Sequence, residues 1–428
     1  MSESLRSLPS TGAFSGLLEA IGFFRDPDFA SRRFETFGDV FETTLIGQRL
    51  VFVRGDQAIE DLFQQSDAVQ GWWPSSVRML LGSRSLANRN GPAHKARRRV
   101  VGQLFATAAL RRYSPQIMAM VNSLAEEIKA AETPIALAEQ MRRFAFSVIA
   151  TTVLGLDGRD RDDLFSDFEI WTKALFSVPL AIPGSPFAKA LKARSRLLGK
   201  LQQVLAEASD RRGGLDLLAG GLDEAGLPLS DEDLVEQLLL LLFAGYETTA
   251  SSLSCLMREL LLQPELLIWL QDELDSLVWP PTDDPTSSYD PARAPRLQAV
   301  VNEVMRMTPP VGGFFRITTR PIALAGVEIP AGRVIQVALA ASNRYGSGDL
   351  ETFRPQRHLD GSLQKTLLPF GGGERVCLGK ALAELEIRLM TVGLLKQVSF
   401  NLCSNQNLEL QLIPSPSPKD GLLVNARH

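Results

Sequence analysis

Cysteine is scarce in this chain: its 428 residues include only Cys255, Cys377 and Cys403. Three scattered cysteines are too few for a disulfide framework, and they are typical of a reducing compartment where a thiol is either packed or chemically used. The sequence also lacks a secretory leader and an apolar run long enough to span a bilayer. Its most apolar run, residues 238–243, is flanked by acidic residues. We therefore expect a cytoplasmic protein without a transmembrane anchor.

An excess of positive charge is also absent, since 45 Lys and Arg residues stand against 49 Asp and Glu residues. Without a dominant basic stripe, nucleic acid is not an expected partner. The sequence has no internal repeat, no long low-complexity segment and no linker that would divide it. It also lacks flavin and nicotinamide fingerprints. We expect one domain, residues 1–428, that carries no reductase of its own.

The hydrophobic pattern predicts a mainly α fold with a small β portion. Helical periodicity predominates over about 90–310 and again over 378–397, while β-forming segments lie in about 30–60 and 310–345. Individual strands are predicted over 41–45, 50–53, 322–325, 327–329 and 334–339. Ser230 followed by Asp233, just before the leucine-rich run, predicts the start of a helix.

The segment FGGGERVCLG, which begins at Phe370, is the strongest candidate for chemistry. A lone cysteine is usually a small buried hydrophobic residue. Here Gly371 and the next two glycines allow positive φ and the close approach of a flat ligand. Arg375 is a permanent cation that can hold a carboxylate. Gly379 and the helix after it place Cys377 at a helix N-terminus, which favours a thiolate, while Phe370 can shield the sulfur.

This loop resembles the haem-binding loop of cytochromes P-450, matching it at Phe370, Gly373, Arg375, Cys377 and Gly379. The resemblance extends over nearly the whole chain and implies the single-domain P-450 fold. It also implies haem b (iron protoporphyrin IX) as cofactor, with Cys377 as the iron ligand. A thiolate axial ligand favours cleavage of the O–O bond.

Glu303 and Arg306 lie three residues apart on a predicted helix that ends before a proline pair. On their own they are ordinary neighbours on a helix surface. The resemblance implies that they form, with Arg357, a buried ion network that braces the haem loop. His358 departs from the aromatic residue usual at its position, which puts the local packing in question.

Ala244 and Gly245, followed by Glu247 and Thr248, interrupt the leucine-rich helix. They are either the polar end of a core helix or a built feature, since glycine costs about 1 kcal/mol in a helix. The resemblance implies an oxygen-activation groove, in which the small residues leave room above the iron. Glu247 and Thr248 would then orient water and deliver protons.

His94 and Arg98 are four residues apart and share one face of a predicted helix. The resemblance implies that both bind the haem propionates, as does Arg316 in the segment GGFFR. The remaining charges of this basic run are expected to face solvent near the docking surface of an electron donor: Lys95, Arg97 and Arg99.

The activity that the resemblance implies is insertion of one oxygen atom from O₂ into an apolar small-molecule substrate. Electrons would come from a separate donor of the ferredoxin or flavodoxin type with its reductase. Segments 309–316, 368–386 and 407–424 are also similar to a cyanobacterial group related to retinoic-acid hydroxylases. That narrower likeness implies a retinoid or an apocarotenoid as substrate.

Two other functions stay open: a haem-thiolate enzyme that uses or rearranges peroxides, and a non-catalytic haem sensor or electron-transfer protein. Glu247 and Thr248 favour oxygen activation, because neither alternative needs a proton relay. Segments 70–90 and 160–195 shape the substrate pocket in the family. Candidate apolar walls, for each of which ordinary core packing is the alternative, are Trp72, Trp73, Met79, Leu175 and Phe176.

Overall fold

A computed structural model describes residues 5–12, 16–26, 29–45, 47–175, 177–207, 213–218 and 220–427. The described chain is mainly helical with a small β portion, so the predicted fold class is confirmed. Its backbone falls into two compact units. The first comprises the residues up to Trp72 together with Asn302–Cys377, and the second comprises Trp73–Val301 with the residues from Leu378 onward.

The helices follow the amphipathic segments of the sequence. In chain order they are α1 (Gly16–Arg25), α2 (Phe29–Phe37), α3 (Asp56–Gln64), α4 (Ser75–Leu81), α5 (Gly91–Gly102), α6 (Thr107–Ala130), α7 (Leu137–Val148), α8 (Gly158–Thr172), α9 (Pro186–Ala206), α10 (Asp231–Leu262), α11 (Pro264–Leu274), α12 (Pro295–Met307), α13 (Leu339–Arg344) and α14 (Lys380–Gln397). A π-helical turn, Ile149–Val153, follows α7 directly.

The strands are short. They are β1 (Val40–Leu45), β2 (Gln48–Val53), β3 (Val69–Gly71), β4 (Ile135–Ala136), β5 (Gly313–Thr318), β6 (Ile322–Leu324), β7 (Val327–Ile329), β8 (Val334–Ala338), β9 (Ser399–Leu402), β10 (Leu410–Gln411), β11 (Ser417–Pro418) and β12 (Leu423–Arg427). The predicted strand positions agree with β1, β2, β6, β7 and β8. The individual strand predictions missed β3, β4 and β5.

The first unit is built on a five-stranded sheet with the order β1-β2-β8-β5-β3. Strands β2 and β8 run parallel, and the other neighbours are antiparallel. Side chains of β2 alternate between two hydrophobic clusters: Leu50 and Phe52 belong to one, Val51 and Val53 to the other. Because successive strand residues point to opposite faces, the sheet is covered on both sides. This gives β3 and β5 a rigid support.

The second unit is organised around α10, which packs against α7, α9, α14 and β11. Ser230 caps this helix, since its hydroxyl oxygen accepts a hydrogen bond from the Asp233 N–H at 3.3 Å. The predicted helix start is therefore confirmed. In the described part of the chain, α10 alone meets the length and composition expected of a membrane span, but 67% of its most apolar window is buried within the protein. Core helices of globular proteins meet the same criterion.

Candidate active site

The cysteine loop of the first unit is shaped by two glycines in the left-handed region. Gly371 has φ +69° and Gly373 has φ +65°, conformations that side-chain-bearing residues rarely adopt. The Cys377 N–H donates to the Phe370 carbonyl at 2.8 Å and closes the loop. Cys377 is exposed, so it is not the small buried core residue that a lone cysteine usually is. The loop therefore presents the thiol at the surface of its unit.

Gly372 in the same loop meets an aromatic ring that sequence reasoning missed. A Cβ atom at this position would lie 2.6 Å from Cζ of Phe63, a residue of α3. The Phe63 ring stacks on Phe314 of β5, with the ring centroids 6.2 Å apart. The loop therefore needs a residue without a side chain at position 372, because the space is filled by Phe63.

Arg316 and Arg375 form a cationic pair in the first unit. Arg316 on β5 is paired with Gly71 on β3, and a Cβ atom at position 71 would lie 2.3 Å from Cζ of Arg375. The Arg375 guanidinium thus rests against bare backbone. Burial lowers the pKa of Arg316 to about 10, and the like charge of Arg375 lowers it further in the same direction. Two close cations, one of them largely desolvated, suit an anionic ligand such as the carboxylates of a haem.

This arrangement predicts that Gly71→Ala weakens haem retention roughly tenfold, the lower end of what an outer-shell contact contributes. The new methyl group must displace the Arg375 guanidinium, which lies within 2.6 Å of its position. The measurement is the rate of haem transfer to apomyoglobin. Gly312→Ala is the matched control, because a Cβ atom there meets no atom within 4 Å. Equal rates for the two variants would contradict the role of Gly71.

Glu303 is the centre of a buried ion network in the first unit. Its Oε2 lies 2.8 Å from Nε of Arg306, and its Oε1 lies 3.0 Å from Nε of Arg357. The backbone N–H of Arg354 also donates to Oε1, at 2.9 Å. His358, whose identity put the packing in question, joins the network with Nε2 2.8 Å from Glu303 Oε2. The histidine at position 358 therefore gives the Glu303 carboxylate a further polar partner.

Charge pairing governs the protonation of Glu303. Burial alone would raise the pKa of this carboxyl group, but hydrogen bonds from Arg306, His358 and the Arg354 backbone outweigh it and lower the pKa to about 2. Arg306 also donates to the Leu350 carbonyl at 2.7 Å. These contacts tie α12 to the irregular segment that precedes the cysteine loop. The bracing of the loop by this network stays a prediction.

In the second unit, one turn of α10 combines an exposed small residue with two polar side chains. Ala244 is exposed within an otherwise mostly buried helix. The Thr248 hydroxyl donates to the Ala244 carbonyl at 2.7 Å. Burial raises the pKa of Glu247, and the positive charge of Arg142 opposes this shift. A carboxyl group with a raised pKa keeps its proton at a higher pH than an ordinary carboxyl group does, which suits it to act as a general acid.

Gly245 has a packing contact that the sequence did not reveal. A Cβ atom there would lie 2.6 Å from Cγ1 of Ile149, the first residue of the π-helical turn. Such turns often occur at functional sites. The missing side chain therefore lets the π-helical turn approach α10 closely. The predicted role of Gly245 beside the cofactor stays a prediction.

Helix α5 carries His94 and Arg98 one turn apart, as their spacing predicted. His94 is buried and Arg98 is half-buried.

At the C-terminal end of the cysteine loop, Gly379 is the residue before α14 and has φ −86°, so it does not use the left-handed region. A Cβ atom there would be in ordinary contact with Phe105, at 3.6 Å.

The prediction that Arg97 faces solvent is wrong. Arg97 is 5% exposed, with Nη2 2.5 Å from Asp233 Oδ2 and Nη1 2.6 Å from Glu224 Oε2. Two carboxylates compensate its charge, so its burial does not leave an unpaired ion. Its neighbours Lys95 and Arg99 are exposed, as predicted. Helix α5 is therefore joined to the first turn of α10 by a buried ion pair.

The residues predicted to form pocket walls differ in how deeply they are buried. Leu175 is completely buried, whereas Met79 is 50% exposed. Trp72 packs edge-on against Phe315 of β5, with the ring centroids 5.5 Å apart. Trp73 is half-buried, and Phe176 lies outside the described residues. Their role toward a substrate stays a prediction.

A mainly helical fold with a glycine-shaped loop that carries an exposed cysteine and Arg375, with Arg316 close to Arg375, is the arrangement of a haem-thiolate protein. Comparison with known families gives the same class, since the cytochrome P450 family model matches residues 25–425. The chain belongs to the cytochrome P450 family. It is accordingly a monooxygenase-type oxidoreductase with a haem-thiolate iron cofactor, and it requires O₂, a substrate and a redox partner.

Individual relatives are similar along nearly their whole length. Cytochrome P450 120 of Synechocystis sp. is 34% identical, over 98% of this chain and 97% of its own. Cytochrome P450 26B1 of Danio rerio is 30% identical, over 94% of this chain and 83% of its own. The solved structure described as retinoic acid bound cyanobacterial CYP120A1 has a TM-score of 0.90 and 32% identity, over 99% of this chain and 100% of its own.

Proposed function

We propose that this protein hydroxylates a retinoid or an apocarotenoid, using O₂ and a separate electron donor. The observation that carries the proposal is the likeness to a structure that holds retinoic acid, at a TM-score of 0.90 over 99% of the chain. Segments 309–316, 368–386 and 407–424 had already indicated the same substrate class. A long apolar molecule with one polar end is therefore the expected substrate.

In this proposal the cofactor is haem b, held by Cys377 through its thiolate and by cationic side chains at its propionates. The propionate-binding residues are Arg316, Arg375, His94 and Arg98. The haem, when bound, supplies the activation of O₂ and the insertion of one oxygen atom into the substrate. The exposed thiol, the positive-φ glycines and the two neighbouring cations Arg316 and Arg375 support this assignment.

Glu247 and Thr248 act as the proton-delivering pair. Burial raises the pKa of Glu247, which favours the protonated form of the carboxyl group that can donate to a water molecule. The Thr248 hydroxyl donates to the Ala244 carbonyl, which leaves its oxygen lone pairs available to accept from water. This pair favours reductive oxygen activation over peroxide chemistry, because only the former consumes protons.

The electron donor is proposed to be a ferredoxin or a flavodoxin with its reductase, docking near α5. Exposed Lys95 and Arg99 would speed the encounter with an acidic partner, so the reduction rate should fall as salt increases. The proposed location is the cytoplasm, since three scattered cysteines are typical of a reducing compartment.

The proposed substrate class is tested by titrating the ferric protein with retinoids, apocarotenoids, fatty acids and terpenoids. A shift of the haem Soret band is expected with the first two classes. Product analysis under ¹⁸O₂ should then show one labelled oxygen atom in the product. Failure of every retinoid and apocarotenoid to shift the band, beside a clear response to a fatty acid or terpenoid, would overturn the substrate class.

The proton-delivery role predicts that Thr248→Ala separates electron consumption from product formation. We expect the rate of product formation to fall by roughly a hundredfold, the lower range of general-acid contributions, while reductant is still consumed. Coupling of reductant to product is the quantity to measure. Thr248→Ser is the control, because it keeps the hydroxyl group. Undiminished coupling in Thr248→Ala would show that the hydroxyl takes no part in proton delivery.

A further inference from the structure

We propose that Arg142, on α7, is a positioning residue that sets the charge state of the Glu247 carboxyl group and thereby controls proton delivery. Arg142 has no assigned part in the reaction and acts through Glu247 without touching reacting atoms. The inference rests on the proposed function, because it gives Glu247 its role in oxygen activation.

The end of α7 lies directly on the turn of α10 that carries Glu247. Ile149, which follows α7, occupies the space beside Gly245. The ring of Phe146, near the C-terminus of α7, meets the Tyr246 ring edge-on, with centroids 6.4 Å apart. The end of α7 and the π-helical turn after it therefore contact Gly245 and Tyr246, the two residues that precede Glu247.

Arg142 is held against the following turn of α10 by β11. Ser251 lies four residues after Glu247 and shares its face of the helix. The Ser251 hydroxyl donates to the Pro416 carbonyl at 2.7 Å, and the next residue, Ser417, accepts a hydrogen bond from Nη2 of Arg142 at 3.3 Å. Both serines are buried. The guanidinium thus has a fixed position close to the face of α10 that carries Glu247.

The positive charge of Arg142 acts on Glu247. Burial raises the pKa of Glu247, and the positive charge of Arg142 pulls it down again. Other titratable groups near this turn are Tyr246 on α10, Glu139 on α7 and Glu169 on α8. The Tyr246 phenol stays neutral, since burial raises its pKa. In a partly desolvated site one cation has a far larger effect than at the surface.

The opposing effects keep Glu247 able to exchange a proton in both directions. Burial on its own favours the protonated form of the carboxyl group and makes release of the proton harder. With Arg142 present, the carboxylate is stabilised, so Glu247 can give its proton to water and take another from solvent. A proton donor works best when its pKa lies near the working pH.

The test is an infrared pH titration of the Glu247 carboxyl group in the haem-loaded protein. The C=O band of the protonated acid is assigned by its loss in Glu247→Gln. In Arg142→Gln we expect the acid dissociation constant to fall at least about tenfold, which raises the midpoint by about one pH unit. Arg142→Lys should retain the wild-type midpoint, and the pH profile of coupling should move with the band. Arg143→Gln is the control, since Arg143 is exposed and pairs with Glu139 at 3.1 Å.

An unchanged midpoint in Arg142→Gln, or an equal shift in Arg143→Gln, would overturn the inference. If Arg142→Gln does not fold, Ser417→Ala replaces it, because the loss of that hydroxyl releases the guanidinium and should raise the midpoint in the same direction. A different outcome would refute the proposed function. A wild-type protein that oxidises no retinoid or apocarotenoid, combined with a shifted midpoint in Arg142→Gln, would refute the function and leave the Arg142 assignment in place.

Discussion

Cys377→Ser is expected to abolish monooxygenase activity while the fold is retained. A serine hydroxyl is a poor ligand for haem iron and cannot supply the electron density of a thiolate. The loss should exceed the roughly 10- to 100-fold that removal of an outer-shell partner costs. The measurement is the Soret band of the reduced carbon monoxide complex together with turnover. Because serine is close to cysteine in size and shape, the substitution should leave the circular dichroism spectrum unchanged.

Cys403→Ser is the matched control for that substitution. Cys403 lies just after β9, and its Sγ accepts a hydrogen bond from the Asn425 side chain at 3.4 Å. A serine hydroxyl can accept the same bond. The control should therefore keep the thiolate spectrum and the activity. A thiolate-type spectrum in Cys377→Ser, or its loss in Cys403→Ser, would refute the assignment of Cys377.

Arg306→Ala is expected to destabilise the protein by about 3–5 kcal/mol, the cost of removing one partner of a buried ion pair. Arg306 is completely buried, and its loss leaves the Glu303 carboxylate short of its nearest cation. It also leaves the Leu350 carbonyl without this donor. Urea unfolding gives the free energy, and the haem content of the purified variant shows whether the cofactor is retained. We expect both values to fall.

Arg344→Ala provides the comparison, because Arg344 is partly exposed and lies 3.6 Å from Glu351. Surface pairs of this kind are worth about 0–1 kcal/mol. Equal stability losses in the two variants would contradict the prediction that the buried network contributes more to stability than a surface ion pair does. Full haem content in Arg306→Ala would refute its predicted part in bracing the cysteine loop.

Acid stability provides a second measurement on the same network. The folded-state pKa of Glu303 is lowered to about 2, below its ordinary value of 4.5. Its contribution to stability is therefore complete above pH 4.5 and is lost as the pH falls toward 2. Arg306→Ala removes one cause of the lowered pKa, so the contribution becomes smaller and disappears at a higher pH. Acid unfolding curves of the two proteins should show this difference.

Local patterns predicted much of the fold. The strands β6, β7 and β8 and the helix start at Ser230 follow from residue alternation and from capping chemistry, which depend on near neighbours alone. Strand β5 was missed because its polar Arg316 and its preceding glycines do not produce a clear alternation. The exposed position assigned to Arg97 was wrong because its partner Asp233 lies 136 residues further along the chain.

The cysteine loop was recognisable from its residues because its chemistry is local. Glycines that permit positive φ, a cation two residues before the sulfur and a helix directly after it all lie within ten positions of the sequence. Such features act through bonds and short turns, so they need no knowledge of the remaining fold. The predicted haem-thiolate class rests on them, and the match of the family model over residues 25–425 confirms it.

Tertiary structure alone decided which distant groups these residues meet. The close approach of Gly71 to Arg375 depends on the pairing of β3 with β5. The contact of Phe63 with Gly372 depends on the placement of α3. The proposed effect of Arg142 on Glu247 requires α7 to lie against α10. Burial and electrostatic interaction are set by distance in space, which separation along the chain does not specify.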